Sequence, residues 1–588
     1  MLVSARQFLR SVFASTYPEV TPAAVLVGVL IGVLMTASFS YAALVLGFST
    51  NGSTVAAILG WGTLKLLLKR GTIVESNIVQ TIASGINTTT AGVIFTVPVL
   101  LIRGSPFSVW WVGVACVAGA IMGVGFIIPL RKQMIDIDRL RFPSGTAVAS
   151  ILKAPSEGAR KSRLLVAGAA VSGFVYVLTQ LPKLGLPFGL PATVDVSHAL
   201  GLPPYVENVW AVSLLGAGIG FIAGRNGLFV LAGGVLAYWV LTPLVVNLGW
   251  VPHEVSTHNV AAYVHNHMTR PLGIGMLVGG SLMGVVLALP AISAAFRNMR
   301  QALMRRDDLD ELPLNVLYAV LLAAFAVLFL AAFFSSDIPA WRALLVALVG
   351  TVWLWFAGII VSQATGMTDW TPISGMALLA VVFLLLVLPK DELATAVLIG
   401  ATVSVAIAEC ADMMQDLKTG HLVGSRPFRQ QTAQLLVAWI GPVVAISVML
   451  LIWHSGGVNP STGERLPGFG PGTSIEAPQA TALGATIDSV IGGDVPKDKF
   501  VAGGILGMLL SFSGIPGLGV IMGISMYLSL KYILPYGVGS IVAVWARRRK
   551  GVGWYENVGI PVAAGLVVGE ALLTIVFAVI KMTGAVAP

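Results

Sequence analysis

Charge is what this chain has least of. Only 10% of its 588 residues are Asp, Glu, Lys or Arg, against roughly 25% in soluble domains. That excludes a soluble globular domain with a solvated, charged surface. Cysteine is almost absent as well. The two present, Cys116 and Cys410, lie far apart, in or at the end of apolar runs. They read as small buried hydrophobes, not as a disulfide, a redox pair or a metal site. Acidic residues are fewer than basic ones, 26 against 35. In so apolar a chain the positive excess fits basic cytoplasmic loops and not nucleic-acid binding. No P-loop, zincin motif or nucleophile elbow occurs in a usable context. ATP-driven chemistry is therefore not expected, nor is an enzyme or a cofactor.

What fills the chain is apolar: 56% of residues are hydrophobic, with 66 Gly and 31 Pro, and the mean hydropathy is +0.89. This composition belongs to an integral membrane protein that crosses the bilayer many times. Met1–Pro22 is short, polar and basic, and no cleavable signal peptide is expected. The first apolar run, Ala23–Leu46, is long enough to span and stay.

The apolar segments, measured against the roughly 20 residues a spanning helix needs, suggest about 16–17 crossings. Several pieces are irregular. Val55–Leu68 is short and follows the polar break Ser49-Thr-Asn-Gly-Ser-Thr54. Phe142–Leu152 and Ala477–Ala485 are too short to span and too polar to face lipid. A second break, Gly366–Gly375, opens Met376–Leu388. These unusual pieces recur in the same order in both halves. Phe142-Pro-Ser-Gly-Thr-Ala-Val-Ala149 resembles Ala477-Pro-Gln-Ala-Thr-Ala-Leu-Gly484, and Leu272–Gly280 resembles Val558–Leu566, which argues for duplication. With the N-terminus in the cytoplasm, basic loops follow different segments in the two halves, so the halves are expected to be antiparallel. The expected organisation is a first repeat at 1–312, a linker helix at 313–335 and a second repeat at 336–588. The fold class expected is all-α: a polytopic membrane protein of two inverted-topology repeats with re-entrant or broken helices. Such repeats are the pattern of secondary transporters, whose substrate sites lie at mid-membrane.

One polar stripe interrupts the apolar text. In Glu75–Ile102, the residues Asn77, Gln80, Thr81, Ser84, Asn87 and Thr88 recur at helical spacing and share one face. That face must look at protein or at a water-filled route, so it is either a path for a polar solute or polar glue between helices. A second stripe lies at Glu409, Asp412, Asp416 and Thr419, with Gln415 beside it. Its three carboxyls could serve a cationic substrate group, a metal chelate or a proton, or could be a solvated helix end, and Lys418 is near enough in sequence to offset one of them. Glu570 lies deep in the last apolar run, where a carboxylate costs roughly 2.5–3.5 kcal/mol. It is either a proton or substrate group or a neutral acid bonded to a neighbouring helix. Glu570, Glu409, Glu75 and Asp416 are the expected proton carriers, with Glu75 at the inner mouth. The breaks at Asn51 and Asp369 would free backbone at membrane depth. The helix starts carrying Ser144 and Thr146, and Gln479 and Thr481, would aim partial positive charge at a substrate. Four of the seven histidines crowd one loop, His253, His258, His265 and His267, but their spacing matches no closed zinc pattern and a solvated loop is the better reading.

The chain resembles the oligopeptide transporter family, in particular its yellow-stripe-like and bacterial branches. The resemblance rests on Glu75-Ser-Asn-Ile-Val-Gln-Thr-Ile-Ala-Ser84, Leu140-Arg-Phe-Pro-Ser-Gly-Thr-Ala147, Asp416-Leu-Lys-Thr-Gly-His-Leu422 and Ala232-Gly-Gly-Val-Leu-Ala237, and covers essentially the whole chain. It implies proton-coupled import of small peptides or peptide-like metal chelates by alternating access, with lipid bilayer, substrate and protons as partners and the inner membrane as location. Two copies in one assembly are compatible with it. The Asn-Pro-Gly motif of the peptide branch is reduced here to Asn51-Gly52, which weakens the implication of peptide specificity. Rival readings are a passive facilitator for a polar solute and, further off, an intramembrane enzyme, for which no nucleophile–base pair is evident.

Overall fold

The computed structural model describes residues 17–582 except 48–51, 70, 154, 185–187, 198–199, 204, 253–254, 256–259, 281, 285, 288–310, 369–370, 372, 390–391, 457–465, 474, 492–496 and 516. Asn51, Asp369, His253 and His258 lie outside the described residues.

The chain is an all-α, multi-pass membrane protein. Among the described residues, ten helices are long and apolar enough to cross a membrane. In chain order the elements that matter here are α1 (Pro22–Leu46), α2 (Ser53–Gly62), α3 (Ile73–Thr96), α4 (Val109–Ile127), α5 (Pro143–Lys153) and α6 (Pro155–Gln180). A hairpin of β1 (Thr193–Asp195) and β2 (Val209–Ala211) follows, paired antiparallel with Val194 opposite Trp210. Then come α7 (Leu214–Ala223), α8 (Gly227–Val235), α9 (Leu314–Phe334), α10 (Ala340–Thr368), α11 (Ile373–Val387), α12 (Leu393–Val423), α13 (Pro427–Val437) and α14 (Ile440–His454). The chain closes with α15 (Pro478–Ile491), α16 (Lys497–Ser511), α17 (Leu518–Tyr527), α18 (Leu530–Trp554) and α19 (Ile560–Met582).

Two compact units emerge, and neither is continuous in sequence. One comprises residues 1–40, 49–162 and 287–449; the other comprises 41–48, 163–286 and 450–588.

In the first unit α12 is the central helix, surrounded by α3, α4, α5, α10, α11 and α13. The most apolar window of α12 is 94% buried and that of α3 83%, against 28% for α9, which faces outward. Close approach explains how such a helix is enclosed. A Cβ on Gly119 or Gly123 of α4 would sit 2.4 Å from Thr402 O or 2.2 Å from Ala406 O of α12. Only glycine at both ends of this small-xxx-small stretch lets the two backbones meet.

In the second unit α7 packs on α18 and α19, and α8 on α17 and α18. Here too glycines set the spacing: a Cβ on Gly220 of α7 would be 1.9 Å from Tyr536 O of α18.

The two short polar pieces expected not to span are short helices, α5 and α15, and their entries match. Each is preceded by a non-glycine residue in the left-handed region, Phe142 at φ 43° and Ala477 at φ 46°. That conformation is strained for a side chain and persists only where surroundings fix it. The fixing bonds correspond. Phe142 N–H donates to Gly366 O at 2.9 Å, and Ala477 N–H to Leu44 O at 3.1 Å. Thr146 Oγ1 donates to Arg141 O at 2.7 Å, and Thr481 Oγ1 to Glu476 O at 2.9 Å. In each case the acceptor of the first bond lies near the end of a long helix of the other sequence half, α10 or α1.

The stretch from Pro427 to His454 is long and apolar enough to cross a membrane, and a turn at Ala438–Trp439, ahead of Gly441-Pro442, divides it into α13 and α14. The apolar text from Leu518 to Trp554 forms α17 and the 25-residue α18. Pro535 lies in the second turn of α18, where its missing N–H forgoes one helical hydrogen bond.

Candidate functional site

The polar stripe of α3 is buried, not lipid-facing: Asn77, Gln80, Thr81, Ser84 and Asn87 are all at most 2% exposed, and Thr88 is half-buried. Opposite it stands the acidic stripe of α12. Glu409 and Asp416 are wholly buried, and Asp412 and Gln415 nearly so.

The two stripes meet through hydrogen bonds. Ser84 Oγ lies 2.9 Å from Asp412 Oδ2 and 2.6 Å from Asp416 Oδ2. Gln80 Nε2 donates to Asp416 Oδ1 at 2.5 Å. Ser53 Oγ, in the first turn of α2, lies 3.3 Å from Asp412 Oδ1 and 3.5 Å from Asp416 Oδ1. Asn87 reaches the same helix start, since a Cβ on Gly52 would fall 2.4 Å from its Nδ2. The third wall is α13. Gln430 Nε2 donates to Thr81 Oγ1 and to Asp416 O, both at 2.9 Å. Gln434 Nε2 donates to Glu409 Oε2 at 2.8 Å.

Among the described residues, none of Glu409, Asp412 and Asp416 forms an ion pair, and Lys418 is half-buried without pairing to any of them. Sequence proximity suggested an offset by Lys418, and the geometry does not provide it. Several polar atoms in this wall also have no partner among the described residues: both amide atoms of Asn77, Gln80 Oε1, Asn87 Oδ1, Thr90 Oγ1 and Glu409 Oε1. A buried polar atom without a bond costs roughly 1–3 kcal/mol, so this concentration is expensive for a merely structural core.

The remaining sequence candidates divide by environment. Glu75 belongs to the helix start. Its N–H donates to Thr72 Oγ1 at 3.0 Å, and its Oε2 accepts from Thr72 N–H at 2.8 Å, a capping box. Its Oε1 accepts from Thr21 Oγ1 at 2.8 Å, tying the start of α1 to that of α3. Nearby, Arg429 pairs with Glu19 at 3.0 Å, and Arg131 holds Glu311, whose Oε2 accepts from Gln431 Nε2 at 2.7 Å. Ser144 is half-buried and Thr146 exposed at the entry of α5. Thr419 Oγ1 donates to Gly145 O at 2.9 Å, and so docks that entry on α12.

In the second unit, Glu570 Oε1 accepts from Ser213 Oγ at 2.6 Å and Oε2 from Leu215 N–H at 2.9 Å. Ser213 is the N-cap of α7, so both carboxyl oxygens satisfy a helix start. Gln479 Nε2 donates to Gly47 O at 2.6 Å. His265 Nδ1 lies 3.1 Å from Tyr238 Oη and its ring stacks on that tyrosine; His267 bonds Tyr263 O at 3.0 Å. Both histidines thus have protein partners, and among the described residues no group of three His, Cys, Asp or Glu is placed to hold a metal. Outside the spans, burial pushes the Glu207 and Glu476 carboxyls above their ordinary range, while Lys531 pulls both back.

The sequence reading missed Ser53, Gln430 and Gln434. A signal existed: Arg429-Gln-Gln-Thr-Ala-Gln434 has five polar residues of six at the edge of an apolar run, an expensive composition for a span.

A family model described as OPT oligopeptide transporter protein matches residues 19–581. A Haemophilus influenzae protein bearing an oligopeptide-transporter name is 28% identical over 599 residues, covering 92% of each chain. An Arabidopsis thaliana protein named as a metal-nicotianamine transporter is 23% identical, covering 80% of this chain and 75% of its own. The iron-phytosiderophore transporter yellow stripe 1 of Zea mays is 24% identical, over 60% of this chain and 56% of its own.

Proposed function

Because this chain belongs to the OPT oligopeptide transporter family, we propose that it is a proton-driven importer of short peptides or peptide-like metal chelates, working by alternating access. The observation that carries the reading is the buried polar wall of α3, α12 and α13, rich in amides and hydroxyls with unused donors and acceptors. Peptides and amino-carboxylate chelates present amides, ammonium groups and carboxylates, which such a wall can bond while apolar solutes cannot. Asn77, Asn87 and Thr88 are the proposed substrate contacts on α3, with Gln415 on α12 and Ser144 and Thr146 at the entry of α5. Glu570 and Glu75 serve helix starts in this reading and do not carry the coupling proton. A location in the inner membrane with the N-terminus in the cytoplasm completes the proposal, the basic loops giving the orientation.

The test is uptake into proteoliposomes of labelled trialanine and of the iron(III) and nickel(II) complexes of nicotianamine, with and without an inward proton gradient. Accumulation above the external concentration only with the gradient is expected. Equal flux with and without it would leave a facilitator as the function.

A further inference from the structure

We infer that Asp412 and Asp416 hold one proton between them, passed through the hydroxyl of Ser84, and that this shared proton is the one that couples transport. The inference rests on the proton-driven reading above and goes further, to the atoms and the number of charges.

The argument begins with hydrogen counting. Ser84 Oγ lies within hydrogen-bond distance of Oδ2 on both aspartates, yet a hydroxyl carries one hydrogen. If both acids were ionised, one of those contacts would set an oxygen lone pair against another with no hydrogen between. The second contact is a bond only if the carboxyl itself donates. Ser53 Oγ stands further off, 3.3 Å and 3.5 Å from Oδ1 of the two acids, too far to require a hydrogen in both contacts, so the count rests on Ser84. At least one proton therefore resides on the pair.

Two protons are disfavoured by the donors already supplied. Asp416 receives Gln80 Nε2 at 2.5 Å and the shorter of the two Ser84 contacts. Donors of this kind favour an ionised acceptor. The arrangement that uses every hydrogen has Asp412 neutral, its Oδ2–H donating to Ser84 Oγ, and Ser84 O–H donating to Asp416 Oδ2. Reversing both bonds moves one proton onto Asp416 and leaves Asp412 ionised; the net charge of the pair stays at minus one.

Among the described residues, the surroundings carry no compensating charge. From α12 itself Glu409 faces the pair, one turn away and bonded to Gln434. The elements packed on α12 present Ser53 of α2, Gln80 and Ser84 of α3, the Gly145 carbonyl of α5 and Gln430 of α13. Their charged groups are engaged or turned elsewhere: Glu75 in its capping box, Arg429 against Glu19, Lys153 exposed at the end of α5 and Arg342 of α10 over Trp341. α4 contributes the Cys116 thiol, and α11 has no titratable residue. A second feature points to traffic at the pair. Gln80 is wholly buried with its amide on Asp416, yet its Oε1 has no partner among the described residues. That oxygen is an acceptor for an arriving donor next to the acid that can take the proton.

The test has two arms. In the first, the infrared absorbance of protonated carboxyl groups is measured for the full-length protein in lipid and for Asp412→Asn/Asp416→Asn, with no substrate added. The wild type is expected to exceed the double variant by one protonated carboxyl per chain. An excess of two, or of none, overturns the shared proton whatever the transport function is. Should the double variant not fold, Ser84→Ala gives the same reading: it removes the bridge, so the shared band must shift, and an unshifted band overturns the inference. In the second arm, Asp416→Asn is expected to lose gradient-driven uptake of the transported probe while keeping exchange of labelled for unlabelled probe across the membrane. Retained gradient-driven accumulation overturns the coupling role. If wild-type uptake itself ignores the gradient, the proton-driven reading fails, and the infrared arm still decides the proton count.

Discussion

Two acid sites lie buried in helices apolar enough to cross a membrane, and they differ in how their oxygens are used. Glu570, in the second unit, gives one oxygen to the N-cap serine of α7 and the other to the Leu215 N–H. Each bond comes from a separate donor, so an ionised carboxylate is fully accommodated. The Asp412–Asp416 pair, in the first unit, must divide the single hydrogen of the Ser84 hydroxyl between two acids. A carboxylate at a helix start is a finished structural joint. A pair bridged by a shared hydroxyl has two arrangements of nearly the same geometry, and a group that must take up and release a proton needs that. Burial alone, which the two sites share, does not separate joint from switch; the count of donors does.

The comparison can be broken in order of expected effect. Asp416→Asn should abolish gradient-driven uptake in proteoliposomes, whereas Glu570→Gln should leave the ratio of gradient-driven to exchange flux unchanged. Inverted outcomes would exchange the roles of the two sites. Glu570→Gln should instead lower thermal stability, by about 1–3 kcal/mol, because the charge-assisted bonds to α7 weaken; a melt followed by tryptophan fluorescence in detergent measures it. Ser213→Ala should reproduce part of that loss. Thr72→Ala should cost about 1 kcal/mol by opening the capping box of α3, with little effect on the pH profile of uptake. A large shift of that profile would give Glu75 a part in coupling.

The smallest effect concerns the region outside the spans. Burial holds the Glu207 carboxyl above its ordinary range, so in that window the folded protein binds more protons than the unfolded chain. Stability should then fall as pH rises from the ordinary carboxylate range through the raised value. Glu207→Gln should flatten that part of the stability–pH curve, and an unchanged slope would remove Glu207 from it.

Much of the architecture was legible in the amino-acid order. The scarcity of charge and the run lengths dictate an all-helical membrane protein, because backbone groups in lipid must bond within their own segment. The repeated Pro-x-x-Thr pieces identified two short helices, and the same left-handed entry at Phe142 and Ala477 shows why these sequences are alike: each must turn sharply and bond a long helix. The stripes on α3 and α12 were visible as periodicity, since carboxyls and amides at three- and four-residue spacing in an apolar run fall on one face of a helix. The role of α13 was not legible, because which groups Arg429–Gln434 bond, namely Glu19, Thr81, Glu311 and Glu409, is decided by packing.

The sequence by itself determined the class of protein and which helix faces are polar, because hydrophobicity and helical period are properties of neighbouring residues. It could not decide which polar face meets which. Gln80 and Asp416 are 336 residues apart, and Ser53 and Asp412 are 359. Their pairing depends on how closely α3, α4 and α12 approach, and that is set by glycines whose role appears only at contact. Only the tertiary structure, therefore, separated Glu570 from the aspartate pair: the number of hydrogens reaching a buried carboxyl is fixed by its neighbours in space.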